Sequence, residues 1–180
     1  DETGAGNHSG HDYMIFNHGE LTIEGGHVYS QCTRDNAPSV ICNQGTGGKT
    51  ATMLLNDGLI SNSWGIVVKN DDYSALEMTG GKIQVTSDTH DTPPKAWAGI
   101  QNWTTATITG GEIEGILPIV AYSYTYGGTN YDSHTIIDGN VIVTGQIQAI
   151  KYSPSDTSKS KIEIKGGTFC NIVAGSEYDQ

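Results

Sequence analysis

Positive charge is scarce in this chain. Arg34 is the single arginine, and nine Lys plus Arg stand against twenty Asp plus Glu, a formal charge of −11 over 180 residues. Phosphate-bearing partners are held by clustered cationic side chains, so this balance argues against nucleic acid and anionic lipid. It also disfavours acidic polysaccharides as substrates. Long apolar runs are missing too: no stretch reaches 18 apolar residues, and the first residues lack the pattern of a signal peptide. The chain is therefore expected to be soluble as given, as a mature or excised segment, without membrane insertion.

Cysteine is sparse, with three in all. Cys32 and Cys42 flank a ten-residue excursion and form a disulfide candidate, which leaves Cys170 without a partner. Three reduced, partly buried thiols are the alternative.

What is abundant is glycine, at 24 residues, in a chain that is 36% hydrophobic and only 16% charged. That composition suits an all-β chain with many turns. The glycines recur in a phrase: LTIEGGHVYS, LEMTGGKIQV, ATITGGEIEG and IEIKGGTFCN. Alignment on the second small residue gives Gly26, Gly58, Gly81, Gly111, Gly139 and Gly167, at intervals of 32, 23, 30, 28 and 28 residues. Such spacing signals a repeat architecture.

Three positions before each aligned glycine stand Ile23, Leu55, Met78, Ile108, Ile136 and Ile164, and two positions after it stand Val28, Ile60, Ile83, Ile113, Val141 and Phe169. Five positions before come Leu21, Met53, Leu76, Ala106 and Ile162, with His134 the exception. A spacing of two is the side-chain period of a strand with one buried face. The residue before each aligned glycine is Gly or Asp, which fits a sharp corner at positive φ between two strands.

A third apolar element precedes each corner, carrying Ile15, Ile41, Ile66, Ile100, Val120 and Ile150. Three strands per repeat make a coil. The expected fold is all-β: a right-handed parallel β-helix of about six three-strand coils, with no long helices. One domain spans 1–180, its coils at about 13–38, 39–63, 64–97, 98–117, 118–147 and 148–175. Asn17, Asn43 and Asn102, each two residues after the ladder isoleucine, are expected to stack at a bend with their amides bonded along the rod. Val68, Tyr122 and Tyr152 are expected to interrupt that row.

The run IFNHGELTIEGGHVY resembles the repeat G-I-x-N-x-G-x-L-T-I-x-G-G-x-I of secreted and cell-surface β-helix proteins of Gram-positive bacteria, within the pectin-lyase-like superfold. The resemblance covers nearly the whole chain. It implies an extracellular or cell-surface bacterial location, often within a larger adhesin-like or polysaccharide-associated polypeptide. A lyase of that superfold needs an Arg or Lys base beside carboxylate-held calcium, and a hydrolase needs carboxylates set apart for acid and base work. Here Arg34 lies in a loop, Asp57 and Asp138 belong to corners, and neither family's catalytic motif is present. No catalytic residue is assigned.

Insertions carry what is individual in such a rod. The longer ones, such as TSDTHDTPPKAW and YSYTYGGTNYDSH, are polar, rich in turn residues and expected on the outside. Trp97, Trp103, Tyr122, Tyr124, Tyr126, Tyr131 and Tyr152, with Trp64, gather on or beside the third strand and the loops after it. Flat rings beside Asn, Asp and Thr suit a sugar, whose apolar face stacks while its hydroxyls find acceptors.

No cofactor is expected apart from a weak calcium candidate in Asp71, Asp72, Asp88 and Asp91. His8, His11 with Asp12, and His90 do not complete a metal-ligand set. The function expected is a non-catalytic binding or scaffold module of a bacterial surface protein, its partner a glycan or other cell-surface ligand. Two alternatives are an end-to-end stacking subunit of an extracellular filament and the remnant of a polysaccharide lyase or hydrolase. Self-association enters because the ends of a β-helix are unpaired sheet edges, and IEIKGGTFCNIVAGSEYDQ offers no amphipathic cap helix. Either the segment comes from a longer rod or its ends meet other copies.

Overall fold

The computed structural model describes residues 13–31, 39–63, 65–86 and 98–170, and the regular structure within them is all β-strand. The strands stack in three faces. The first holds Ile15–Asn17, Ile41–Asn43, Val68–Asn70, Ile100–Asn102, Ile119–Tyr126 and Gln148–Lys151, each parallel to the next. The second holds the opening halves of Glu20–Ser30 and Ala51–Asn62, then Ser74–Met78, Thr105–Ile108, Ser133–Ile137 and Ser160–Ile164. The third holds the closing halves of the two long strands, then Lys82–Val85, Glu112–Glu114, Ile142–Thr144 and Thr168–Cys170. The chain is thus a parallel β-solenoid of about five turns, whose six rungs sit about 4.8 Å apart.

The corners between the second and third faces behave as the repeat predicts. Gly26, Gly58, Gly81, Gly111, Gly139 and Gly167 take φ of 87°, 97°, 74°, 85°, 65° and 101°. Where Asp replaces the first glycine, its carboxylate holds the bend: Asp57 and Asp138 each accept the following glycine N–H through Oδ1 at 2.7 Å.

Inside the coil, equal residues meet equal residues. Ile23, Leu55, Met78, Ile108 and Ile137 form one buried row, and Ile60, Ile83, Ile113 and Val143 another. Each such side chain contributes about 1.5–3 kcal/mol by leaving water.

The glycine alignment mistakes the register in three rungs. In the third, Val68, not Ile66, faces Ile41 and Ile100, and Val68 therefore does not interrupt the asparagine row. In the fifth, Ile119 lies over Ile100, while Val120 points to the other side. There Thr135 and Ile137 also turn inward in place of His134 and Ile136, and Val143 takes the rung position assigned to Val141. In the sixth, Ile150 pairs with Tyr122 on the outer side, and Ile147 packs on the core. These are runs with apolar residues on both faces, such as GIVV and PIVA, where a period of two has no phase.

The asparagine row is longer than expected because Asn70 joins it. Asn17 donates from Nδ2 to Oδ1 of Asn43 at 2.7 Å, Asn43 to Asn70 at 2.8 Å, and Asn70 to Asn102 at 2.8 Å. Asn102 then donates to the Thr135 hydroxyl at 2.9 Å. The same amides bond the carbonyls of Thr52, Ala75 and Thr105 on the second face, so each one clamps a bend as well as a rung.

Two comparisons test this scaffold by urea denaturation. A Cβ at Gly26 meets nothing within 4 Å, so Gly26→Ala carries only the penalty of positive φ, about 1–2 kcal/mol. A Cβ at Gly111 would lie 2.4 Å from the Gly81 carbonyl oxygen, and Gly111→Ala is expected to lose at least about twice as much. Asn70→Ala removes the acceptor of one Asn43 amide N–H, which keeps its bond to the Ala75 carbonyl, and the side-chain donor to the Thr105 carbonyl, and is expected to cost about 1–3 kcal/mol for each.

Candidate functional site

Outward side chains obey the same register as inward ones. Trp103 follows Asn102 and Tyr122 follows Ala121, and these two predecessors are paired across neighbouring rungs. Their rings therefore stack, with centroids 4.7 Å apart and planes at 14°. Trp103 donates its indole N–H to Oε1 of Gln101 at 3.0 Å. The ring of Tyr152, from the sixth rung, comes within 6.0 Å of Trp103 at 50°.

The insertion YSYTYGGTNYDSH is a β-hairpin, not an irregular loop. Ile119–Tyr126 runs past the bend, turns at Gly127 and Gly128 with φ of 57° and 81°, and returns as the antiparallel strand Thr129–Tyr131. Two consecutive glycines at positive φ are the chemistry of a tight two-residue hairpin turn. Tyr124 and Tyr131 face each other across it with parallel rings, centroids 4.4 Å apart. The edge of Tyr124 meets Trp103 at 5.7 Å and 73°.

Sequence reasoning missed Tyr73. It sits in NDDY, a run that draws notice for its carboxylates, yet its phenol stands near enough to that of Tyr131 to push the Tyr131 pKa up. It is also the one non-glycine residue at positive φ, 53°, among the described residues. That signal belongs to the backbone and has no trace in composition.

The rings divide into two sets. Trp103, Tyr122, Tyr124 and Tyr131 are half-buried and use their faces on one another, anchoring the hairpin to the rod. Tyr126 at 75%, Tyr152 at 73% and Tyr73 at 54% exposure offer rings to solvent. Trp97 and Trp64 lie outside the described residues.

The carboxylates beside the cluster are occupied. Asp72 accepts the Tyr124 hydroxyl at 2.7 Å, and Asp71 pairs with the Lys69 ammonium at 2.5 Å. Burial pushes the Asp72 carboxyl above its usual range and neighbouring Asp71 adds to this, while the Tyr124 hydrogen bond pulls the other way. Burial, with Asp72 as hydrogen-bond acceptor, likewise raises the Tyr124 phenol. Among the described residues no three His, Cys, Asp or Glu side chains gather as a metal site. The remaining calcium candidates, Asp88 and Asp91, lie outside those residues, as do Arg34, His8, His11, Asp12 and His90.

Cys42 is a buried free thiol beside Tyr13, pushed up to about 11 chiefly by burial and then by Asp71. Its candidate partner Cys32 lies outside the described residues. Cys170 is free and exposed.

A wide concave dip lies on the second face around Ala75, lined by Thr52, Leu54, Glu77, Thr105 and Thr107 among others. No aromatic side chain lines it. The aromatic cluster, by contrast, combines ring faces, phenol hydroxyls and an amide, which are groups for stacking and hydrogen bonding.

Tyr124→Phe removes the interaction that most favours the Asp72 anion and leaves only the weaker pull of Lys69, so the Asp72 titration, followed by NMR, is expected to move further up. An acid whose folded pKa exceeds its unfolded one opposes folding when ionised. The added penalty is therefore present at neutral pH and shrinks as pH falls through the folded pKa of Asp72. Comparison of the chain with protein-family models, curated proteins and solved structures returned no match.

Proposed function

We propose that this chain is a non-catalytic, adhesin-like binding module of an extracellular bacterial surface protein, and that it holds a glycan on its aromatic surface. One observation carries the reading: rings from four different rungs converge on one side of the rod, with Tyr73, Tyr126 and Tyr152 facing solvent around a packed centre. A rigid solenoid supplies the preorganisation, since the central rings are fixed by their mutual stacking before any ligand arrives. The hairpin sequence is rich in Tyr, Thr, Ser, Asn and Gly. Such a mixture pairs rigid amphipathic contact area with adaptable hydrogen bonding.

Net charge narrows the ligand. At −11 the chain repels polyanions, so neutral or basic saccharides fit it best. The extracellular setting rests on the resemblance of the repeat to those of secreted β-helix proteins.

A glycan array followed by calorimetry tests this proposal. Tyr126→Ala with Tyr152→Ala removes two exposed stacking faces worth about 0.5–1.5 kcal/mol each, so affinity for the captured saccharide is expected to fall roughly ten-fold with the melting temperature unchanged. Absence of any saturable ligand across a broad array, or undiminished affinity in the double variant, counts against the assignment.

A further inference from the structure

The dip on the second face is made by one small residue. In its outward rows Ala75 stands between Thr52 and Thr105, and Glu77 between Leu54 and Thr107, each paired with its neighbours one rung away. A methyl group between longer side chains sinks the surface there, and Ala75 and Leu54, both half-buried, give it an apolar floor. The dip crosses four rungs, about 14 Å at the rung spacing, and holds about 510 Å³. That volume suits a small-ligand site.

The polar groups around this floor are unused. Glu20, Glu77 and the hydroxyls of Thr52 and Thr107 bond no other group among the described residues. Farther along the same face the outward groups satisfy one another, as Glu163 does with His134 at 3.1 Å and with Lys161 at 2.8 Å. Among the described residues the lining of the dip holds no lysine, arginine or histidine, so its two carboxylates set its sign.

The dip also adjoins the aromatic surface. Tyr73 precedes Ala75 by two residues, and Trp103 precedes Thr105 by two. Two residues of chain reach at most about 7 Å, so the bend that carries the rings opens on the margin of the dip. A saccharide stacked on Tyr73 thus extends its next units over Ala75.

We propose that the dip is a second subsite of the glycan site and takes an amino sugar. The apolar face of a hexosamine ring lies over Ala75 and Leu54, its hydroxyls bond Thr52, Thr105 and Thr107, and its ammonium pairs with Glu77, with Glu20 on the far rim. This inference rests on the glycan reading of the rings and adds a ligand class, an oligosaccharide with free amines. Charge selects that occupant. An ammonium gives the unpaired carboxylates a charge-assisted partner, whereas a uronic acid or a sulfated sugar meets like charge.

Calorimetry on the full chain, at mildly acidic pH and low salt, compares a hexamer of β-linked glucosamine, its amines protonated, with the N-acetylated hexamer. The free-amine form is expected to bind roughly ten-fold more tightly, and that advantage is expected to fade as salt is raised. Glu77→Gln is expected to remove most of the advantage and to leave affinity for the N-acetylated hexamer unchanged. Ala75→Leu fills the dip and is expected to weaken both hexamers roughly ten-fold, with circular dichroism and melting temperature unchanged. Equal affinity for the two hexamers, no binding of either, or an advantage that survives Glu77→Gln overturns the proposal. The two readings fail separately. Binding weakened by Tyr126→Ala with Tyr152→Ala but not by the dip variants removes this subsite and keeps the rings, whereas binding weakened by the dip variants alone keeps the subsite and counts against the rings.

Discussion

Everything in this molecule follows from parallel strands held in register one rung apart. At about 4.8 Å per rung, each residue lies over its counterpart, and a side chain is stable only if it can pack on, or bond to, a near copy of itself. Isoleucine does so by dispersion and exclusion of water, as in Ile83 over Ile60 and Ile113 over Ile83. Asparagine does so through an amide that both donates and accepts, so Asn17, Asn43, Asn70 and Asn102 can be buried without an orphan in the row. Aromatic rings do so by stacking, as Trp103 does on Tyr122.

That constraint explains how much could be read from the sequence. The corners were legible because a bend at positive φ admits few residues, and the six aligned glycines all occupy it. The three-strand coil was legible because apolar residues recur around each corner. Register inside a rung was legible only where the strand alternates. Ile41-Cys42-Asn43 declares its phase by the asparagine, but Ile66-Val67-Val68 is buried at every position, and only its hydrogen-bonded partners show that Val68 is the one aligned with Ile41. One residue added at the corner of the fifth coil, six steps from Ile137 to Val143 where Ile108 to Ile113 takes five, likewise put Val143, not Val141, on the rung.

The site was legible as a collection of residues and not as a geometry. Six of the seven aromatic candidates fall within the described residues: Trp103, Tyr122, Tyr124, Tyr131 and Tyr152 share ring contacts, and Tyr126 sits at the exposed tip of the hairpin. What composition could not tell is which faces are used up. Exposure follows from stacking partners on neighbouring rungs, and those partners depend on a register that the sequence left open in the fifth and sixth coils. Tyr73 shows the same limit, since its place beside Tyr131 spans 58 residues of chain and arises from the winding alone.

The hairpin and the asparagine row are two outcomes of one choice at the same bend. In rungs one to four an asparagine stands at the bend and ties it: Asn17 accepts the Gly19 N–H through Oδ1 at 3.1 Å, and Asn102 accepts that of Thr104 at 3.2 Å. In the fifth rung Ala121 holds the equivalent position and has no amide to hold the turn. The strand runs on through Tyr122, Ser123, Tyr124 and Tyr126 before it reverses at the two glycines. Closure of the bend passes to serine, with the Ser160 hydroxyl on Ser123 at 2.9 Å. The fifth rung thus carries a projecting arm where rungs one to four carry an asparagine-tied bend, and the tyrosines on that arm are what give an otherwise repetitive rod a distinctive surface.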